Sequence, residues 1–142
     1  MGQTGIESAD MIAAVVRDIG FSAIIAVDAL AARSLTRLGR TVQLSNTGIT
    51  PGAGVQNRRS ELSSKKLGIP VLSIGIPTVV DAATVIEEFS HGAKLNIDAC
   101  EMMVTPRDID YIVDQGVTIV ATALNRALLP SLDNDDISSL MS

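Results

Sequence analysis

The 142 residues include one cysteine, one histidine and no tryptophan, and their only aromatic side chains are Phe21, Phe89 and Tyr111. Each scarcity excludes something. A lone Cys100 cannot form an intrachain disulfide, which suits a reducing compartment and argues against a disulfide-stapled scaffold. His91 is the only imidazole and lies in a weakly patterned stretch, so a Cys–His nucleophile pair has little support. The acids are scattered without ligand spacing, so neither a metal nor another cofactor is expected. No apolar run reaches 18 residues without a charge or breaker, so no transmembrane span is expected. The opening MGQTGIESAD lacks the basic and apolar regions of a signal peptide. Formal net charge is −5 and no basic stripe forms, which argues against direct nucleic-acid binding. Arg33, Arg37 and Arg40, and Arg58, Arg59, Lys65 and Lys66, are local groups: solvated surface, or a patch that attracts an acidic substrate.

What is present is aliphatic. Apolar residues make up 46% of the chain, and Val, Ile, Leu, Ala and Met must build the core. That bias suits strands covered on both faces by helices. Ile12, Val15, Val16 and Ile19 predict a helix over 6–18, with Ser8 as a cap and Gly20 as its stop. Residues 21–27 (FSAIIAV) read as a buried parallel strand ending at Asp28. The Ala- and Leu-rich stretch 29–38 reads as a helix, and 41–44 as a second strand. Residues 60–66 supply a turn or two of helix, 69–76 (IPVLSIGI) a third strand ended by Pro77, and 81–89 a helix. The stretch 91–103 has no clear pattern. Thr105-Pro106 predicts the cap and first position of a long helix ending near Leu129. One domain over 1–130 is expected, followed by an acidic, polar tail over 131–142 without fixed structure. The fold class is α/β, a mostly parallel or mixed sheet with helices on both faces. Three strands are few for such a sheet, so the missing ones come from residues outside this stretch or from another chain.

Three features can carry chemistry. Asp28 stands where an apolar strand gives way, and in open α/β sheets ligands bind beyond the carboxyl ends of the strands. It is either a catalytic carboxyl, expected at that edge with the following glycine-rich loop within about 10 Å, or the N-cap of a following helix. The loop Thr47–Asn57 (TGITPGAGVQN) exposes backbone N–H groups through Gly48, Gly52 and Gly54. It is neither a P-loop nor a dinucleotide fingerprint, and reads as a binding loop or a plain connection. Asp81 follows the third strand and is either a second acid near Asp28 or an acid favoured by a helix N-terminus.

The segments IIAVDALAARS, TVQLSNTGITPGAGVQNRRSELS, LGIPVLSIGIPTVVDAATV and MMVTPRDID, with the opening MGQTGIESAD, closely resemble the germination protease family of spore-forming bacteria. The likeness runs from Met1 to about Val85 and resumes from about Met102 to Ala127. It implies a cytoplasmic endopeptidase of the spore core, made as a zymogen, that degrades small acid-soluble spore proteins. It implies an α/β fold related to hydrogenase-maturation proteases, an atypical aspartic-type acid–base mechanism and a homo-oligomer, a tetramer in full-length members. The DALAAR block places one catalytic aspartate on Asp28. Thr47, Gly48, Gly52, Gly54, Asn57, Arg58 and Asp81 become active-site or substrate-binding neighbours. The family's other proposed aspartate belongs to a segment ahead of Met1, so this stretch is expected to be inactive alone. Thr50 stands where relatives are expected to carry His or Asn, and only about seventeen residues link the Thr84 region to MVTP. Two other classes stay open: a non-catalytic assembly module pairing through an exposed sheet edge, and a small-molecule domain using the glycine-rich loop.

Overall fold

The computed structural model describes residues 8–50, 61–90 and 102–140. The chain divides into two compact units, 1–106 and 107–142, where the sequence suggested one domain over 1–130.

The first unit is a mixed α/β arrangement. Helix α1 (Ser8–Ile19) leads into β1 (Ile24–Ala32), then β2 (Gln43–Ser45), a single helical turn α2 (Ser64–Leu67), β3 (Val71–Asp81), α3 (Ala82–Phe89) and the short β4 (Met103–Val104). The sheet order is β1-β3-β2, with β4 also pairing β3. β1 runs parallel to β3, while β2 and β4 are antiparallel to it. The mixed α/β class read from the sequence is therefore the one found.

Register assigns the faces. Ile24 pairs with Val71, Ala26 with Ser73, Asp28 with Gly75 and Leu30 with Pro77. These residues share one face, and Ala26 and Leu30 pack there against a core of Ala9, Ile49 and Leu62. Helix α1 thus covers this face, with Ile12 packed and Val16 buried, while Val15 and Ile19 of the expected stripe are exposed. The opposite face carries Ile25, Val27, Leu44 and Leu72, all exposed.

Two elements differ from expectation for the same reason, the pairing of β1 with β3. The predicted helix over 29–38 is absent: β1 continues through Ala32, because Ala31 and Ala32 pair with Val79 and Val80. Tertiary pairing outweighs the helical propensity of Ala and Leu. Turns follow instead, held by Arg37 N–H to Ser34 O and Leu38 N–H to Leu35 O. Pro77 does not end β3, which runs on to Asp81. Its missing N–H faces away from β1, on the side of β2 and past the last β2 pair, Gln43 with Gly75, so no ladder bond is lost, and its carbonyl accepts from Gly39 N–H at 2.7 Å.

In the second unit, α4 (Ile109–Leu128) is followed by α5 (Asn134–Leu140). The expected Thr105 cap is not made: Thr105 Oγ1 donates to Thr78 O, and the helix begins four residues later. The tail expected to lack fixed structure forms α5 because Asp133 caps it. Asp133 Oδ1 accepts from the N–H groups of Asp135 and Asp136, and Asp136 Oδ2 returns a bond to Asp133 N–H. That reciprocal pair is a capping box built from aspartates.

Candidate active site

The side chain of Asp28 is placed by strand alternation. β1 shows half-buried and exposed positions in turn, and Asp28 belongs to the half-buried set with Ile24, Ala26 and Leu30. Its Oδ1 accepts the backbone N–H of Ala29 at 2.9 Å. No helix follows Asp28, so the N-cap reading does not apply. Equally, Asp28 is not at the carboxyl edge: β1 continues four residues past it, for the pairing reason given above.

Across the sheet from Asp28 stand Gly75 and then Gln43, in one row on the same face. Gly75 has no room for a side chain, since a Cβ there would meet the side chain of Leu30. Leu30 therefore lies over Gly75, an apolar neighbour two residues along from the carboxylate. The sequence reading missed Gln43, which only the register of β2 brings level with Asp28.

The glycine-rich segment starts one row back. β2 runs antiparallel to β3, with Ser45 opposite Ser73, so residues 46–48 head toward the amino end of β1. Thr47 is tied to this turn: Ser45 Oγ accepts its N–H at 3.1 Å and shares a 2.7 Å hydrogen bond with its hydroxyl. The buried Ser73 hydroxyl lies 3.3 Å from both Ser45 O and Gly48 O, one proton serving two acceptors. Ser73 also went unremarked in the sequence, although a hydroxyl inside an aliphatic strand is its signal. Gly48 has φ of +104°, and a Cβ there would lie 2.3 Å from Leu62 O. The Ile49–Leu62 bridge then closes the segment, with N–H to O bonds of 2.9 and 2.7 Å. A surface hollow of about 410 Å³ lies beside it, lined by Asn46, Ser64 and residues 68–72. Gly52, Gly54, Asn57 and Arg58 fall outside the described residues, as do His91 and Cys100.

Asp81 is not brought to Asp28. It lies six residues along β3 from Gly75, roughly 20 Å at about 3.3 Å per strand residue. Its Oδ1 accepts Ala83 N–H at 2.8 Å, the N-cap of α3. Of its two readings, the structural one describes its contacts. Among the described residues no cluster of three His, Cys, Asp or Glu side chains could hold a metal, and no helix is long and apolar enough to cross a membrane.

Comparison with known proteins decides the family. The Peptidase_A25 germination protease family matches residues 1–90, which hold β1, β2, β3 and Asp28. The germination protease of Clostridium tetani (strain Massachusetts / E88) is 42% identical over 173 residues, covering 99% of this chain. The chain belongs to the germination protease family. The germination protease of Bacillus cereus (strain G9842) is 32% identical over 199 residues, covering 96% of the chain and 54% of the relative. That of Oceanobacillus iheyensis is 56% identical over 88 residues, 62% of the chain and 24% of the relative. This germination protease chain spans about half the length of the curated relatives it matches, 54% in the Clostridium tetani case.

Proposed function

We propose that this chain supplies one carboxyl, Asp28, to the acid–base site of a spore-germination endopeptidase. The observation that carries the reading is a half-buried aspartate in the middle of a core strand, within the span matched by the family. With no helix after it the residue has no capping duty, and its Oδ1 holds only the adjacent Ala29 N–H among the bonds described above. In the proposed mechanism one carboxylate takes a proton from water as it attacks the scissile carbonyl, and a second acid protonates the leaving nitrogen. Asp28 is one of the two. Leu30 over Gly75 bounds the apolar side of the site. The segment from Thr47 through Gly48, Gly52, Gly54 and Asn57, with Arg58, borders the substrate chain and brings a cation to it, the Thr47 N–H itself being held by Ser45 Oγ. Asp81 holds α3 and stays outside the chemistry.

The substrates on this reading are small acid-soluble spore proteins, degraded in the spore core by an oligomeric enzyme made as a zymogen. The test is a full-length relative, the Clostridium tetani germination protease, carrying Asn at the position aligned with Asp28. The Asp28→Asn change is expected to lower kcat by about 10² to 10⁴ with an unchanged melting temperature. Turnover at the wild-type rate would refute the role of Asp28.

A further inference from the structure

β1 pairs on one side only, with β3, and among the described residues no strand lies along its other side. In a parallel pair the N–H and C=O groups of successive residues address opposite neighbours. Ile24 N–H donates to Pro70 O at 2.9 Å, so Ile24, Ala26 and Asp28 address β3. Ile25, Val27 and Ala29 address the outer side. The Ala29 N–H is held by Asp28 Oδ1. The N–H groups of Ile25 and Val27 have no partner among the described residues.

Stable proteins blunt such edges with short strands, lysine, proline or a bulge that turns the edge away. β2 follows that rule at three residues. β1 does not: it is nine residues long and contains neither lysine nor proline, and the extra residue at its register shift with β3, Thr78, belongs to β3. It is also apolar on both faces. Ala26 and Leu30 pack into the core, and Ile25 and Val27 on the other face are 37% and 57% exposed. Those are the features of a strand interior to a sheet.

A second copy fits this edge poorly. Asp28 is the middle residue of Ile24–Ala32, so a fully overlapped two-fold pairing of β1 with itself would set Asp28 opposite Asp28. Like charges directly opposite are destabilising. The alternative source is large, since the matched span leaves nearly half of the Clostridium tetani relative uncovered. We propose that the outer edge of β1 receives an extended segment from the half of the germination protease outside the matched span. That segment pairs with Ile25 and Val27 and makes β1 an interior strand, with Asp28 at the seam between the two halves.

The test produces this chain together with the unmatched portion of the Clostridium tetani germination protease in one cell. Co-purification is read first, then backbone amide exchange. In the complex the Ile25 and Val27 amides are expected to exchange at least about tenfold more slowly than in the chain alone, while Ile24 and Ala26 are protected in both. Val27→Pro removes an outward N–H and leaves the ladder to β3 intact, and is expected to abolish co-purification. Failure to co-purify, equal protection of Ile25 and Val27 in the chain alone, or wild-type binding by Val27→Pro would each overturn the proposal. Should Val27→Pro not fold, exchange in the wild-type pair decides.

Discussion

Asp28 and Asp81 show how differently two aspartates of similar sequence setting can be employed. Both come at the end of an aliphatic run in the sequence, and composition offers no way to rank them. Hydrogen bonds do. Asp81 is absorbed by the first turn of α3, whereas Asp28 has no helix to cap. Replacing Asp81 with Ala is therefore expected to cost about 1 kcal/mol of stability, the usual worth of an N-cap, and to leave kcat of a full-length relative nearly unchanged. Thermal melts and steady-state kinetics check both parts, and a large loss of kcat at constant stability would return Asp81 to the site. Gly48 is the other residue with a defined duty. Its positive φ and the closeness of Leu62 O leave no space for a Cβ. Gly48→Ala is expected to lower stability by about 2 kcal/mol or more, visible as a lower denaturation midpoint. The Asp81 duty was one of the two readings its place ahead of a helix offered, whereas that of Gly48 was not legible, since it was one glycine of several in a loop. The backbone angle and the neighbouring carbonyl appear only once Ile49 has paired with Leu62.

At the scale of elements, hydrophobic runs located β1 and β3, but their lengths came from each other. FSAIIAV and IPVLSIGI were readable because a short uninterrupted apolar run bounded by turn residues marks a strand, although among the described residues only one face of the pair is covered. The continuation of β1 through Ala31 and Ala32 was not, because alanine favours helix locally and the deciding partners, Val79 and Val80, lie almost fifty residues away. Proline misled at the end of β3 for a related reason, since its missing donor faces the side where β2 has already ended at Gln43, while the opposite side stays paired with β1. Helix α5 was legible in principle: Asp133 followed three residues later by Asp136 is a start signal, overlooked under the acidity of the tail. Asp133→Ala should remove both N-terminal bonds and destabilise α5 by about 1 kcal/mol. Faster amide exchange at Ile137, whose N–H bonds to Asp133 O, with exchange in β1 unaffected, is the expected signature.

For the whole molecule, the same sheet that positions Asp28 is incomplete as a catalytic frame. General acid–base cleavage of a peptide needs a base for the water and an acid for the leaving nitrogen, and the two must flank one scissile bond. On the reading proposed above, Asp28 offers one such group. Asp81, the other acid singled out in this chain, is roughly 20 Å away by strand rise and engaged in capping. On that same reading, the isolated 142-residue chain is expected to leave small acid-soluble spore proteins uncut, with the full-length Clostridium tetani germination protease assayed alongside for comparison. Adding the unmatched half of that enzyme by co-production should give turnover, if, as proposed, it brings both the strand beside β1 and the second acid. Asp28→Asn in this chain should then remove the restored activity without weakening the association, separating the chemistry from the strand pairing. Gel-resolved digestion with matched protein concentrations reads all three. Cleavage by the isolated chain at the full-length rate would mean that Asp28 needs no partner from outside these residues.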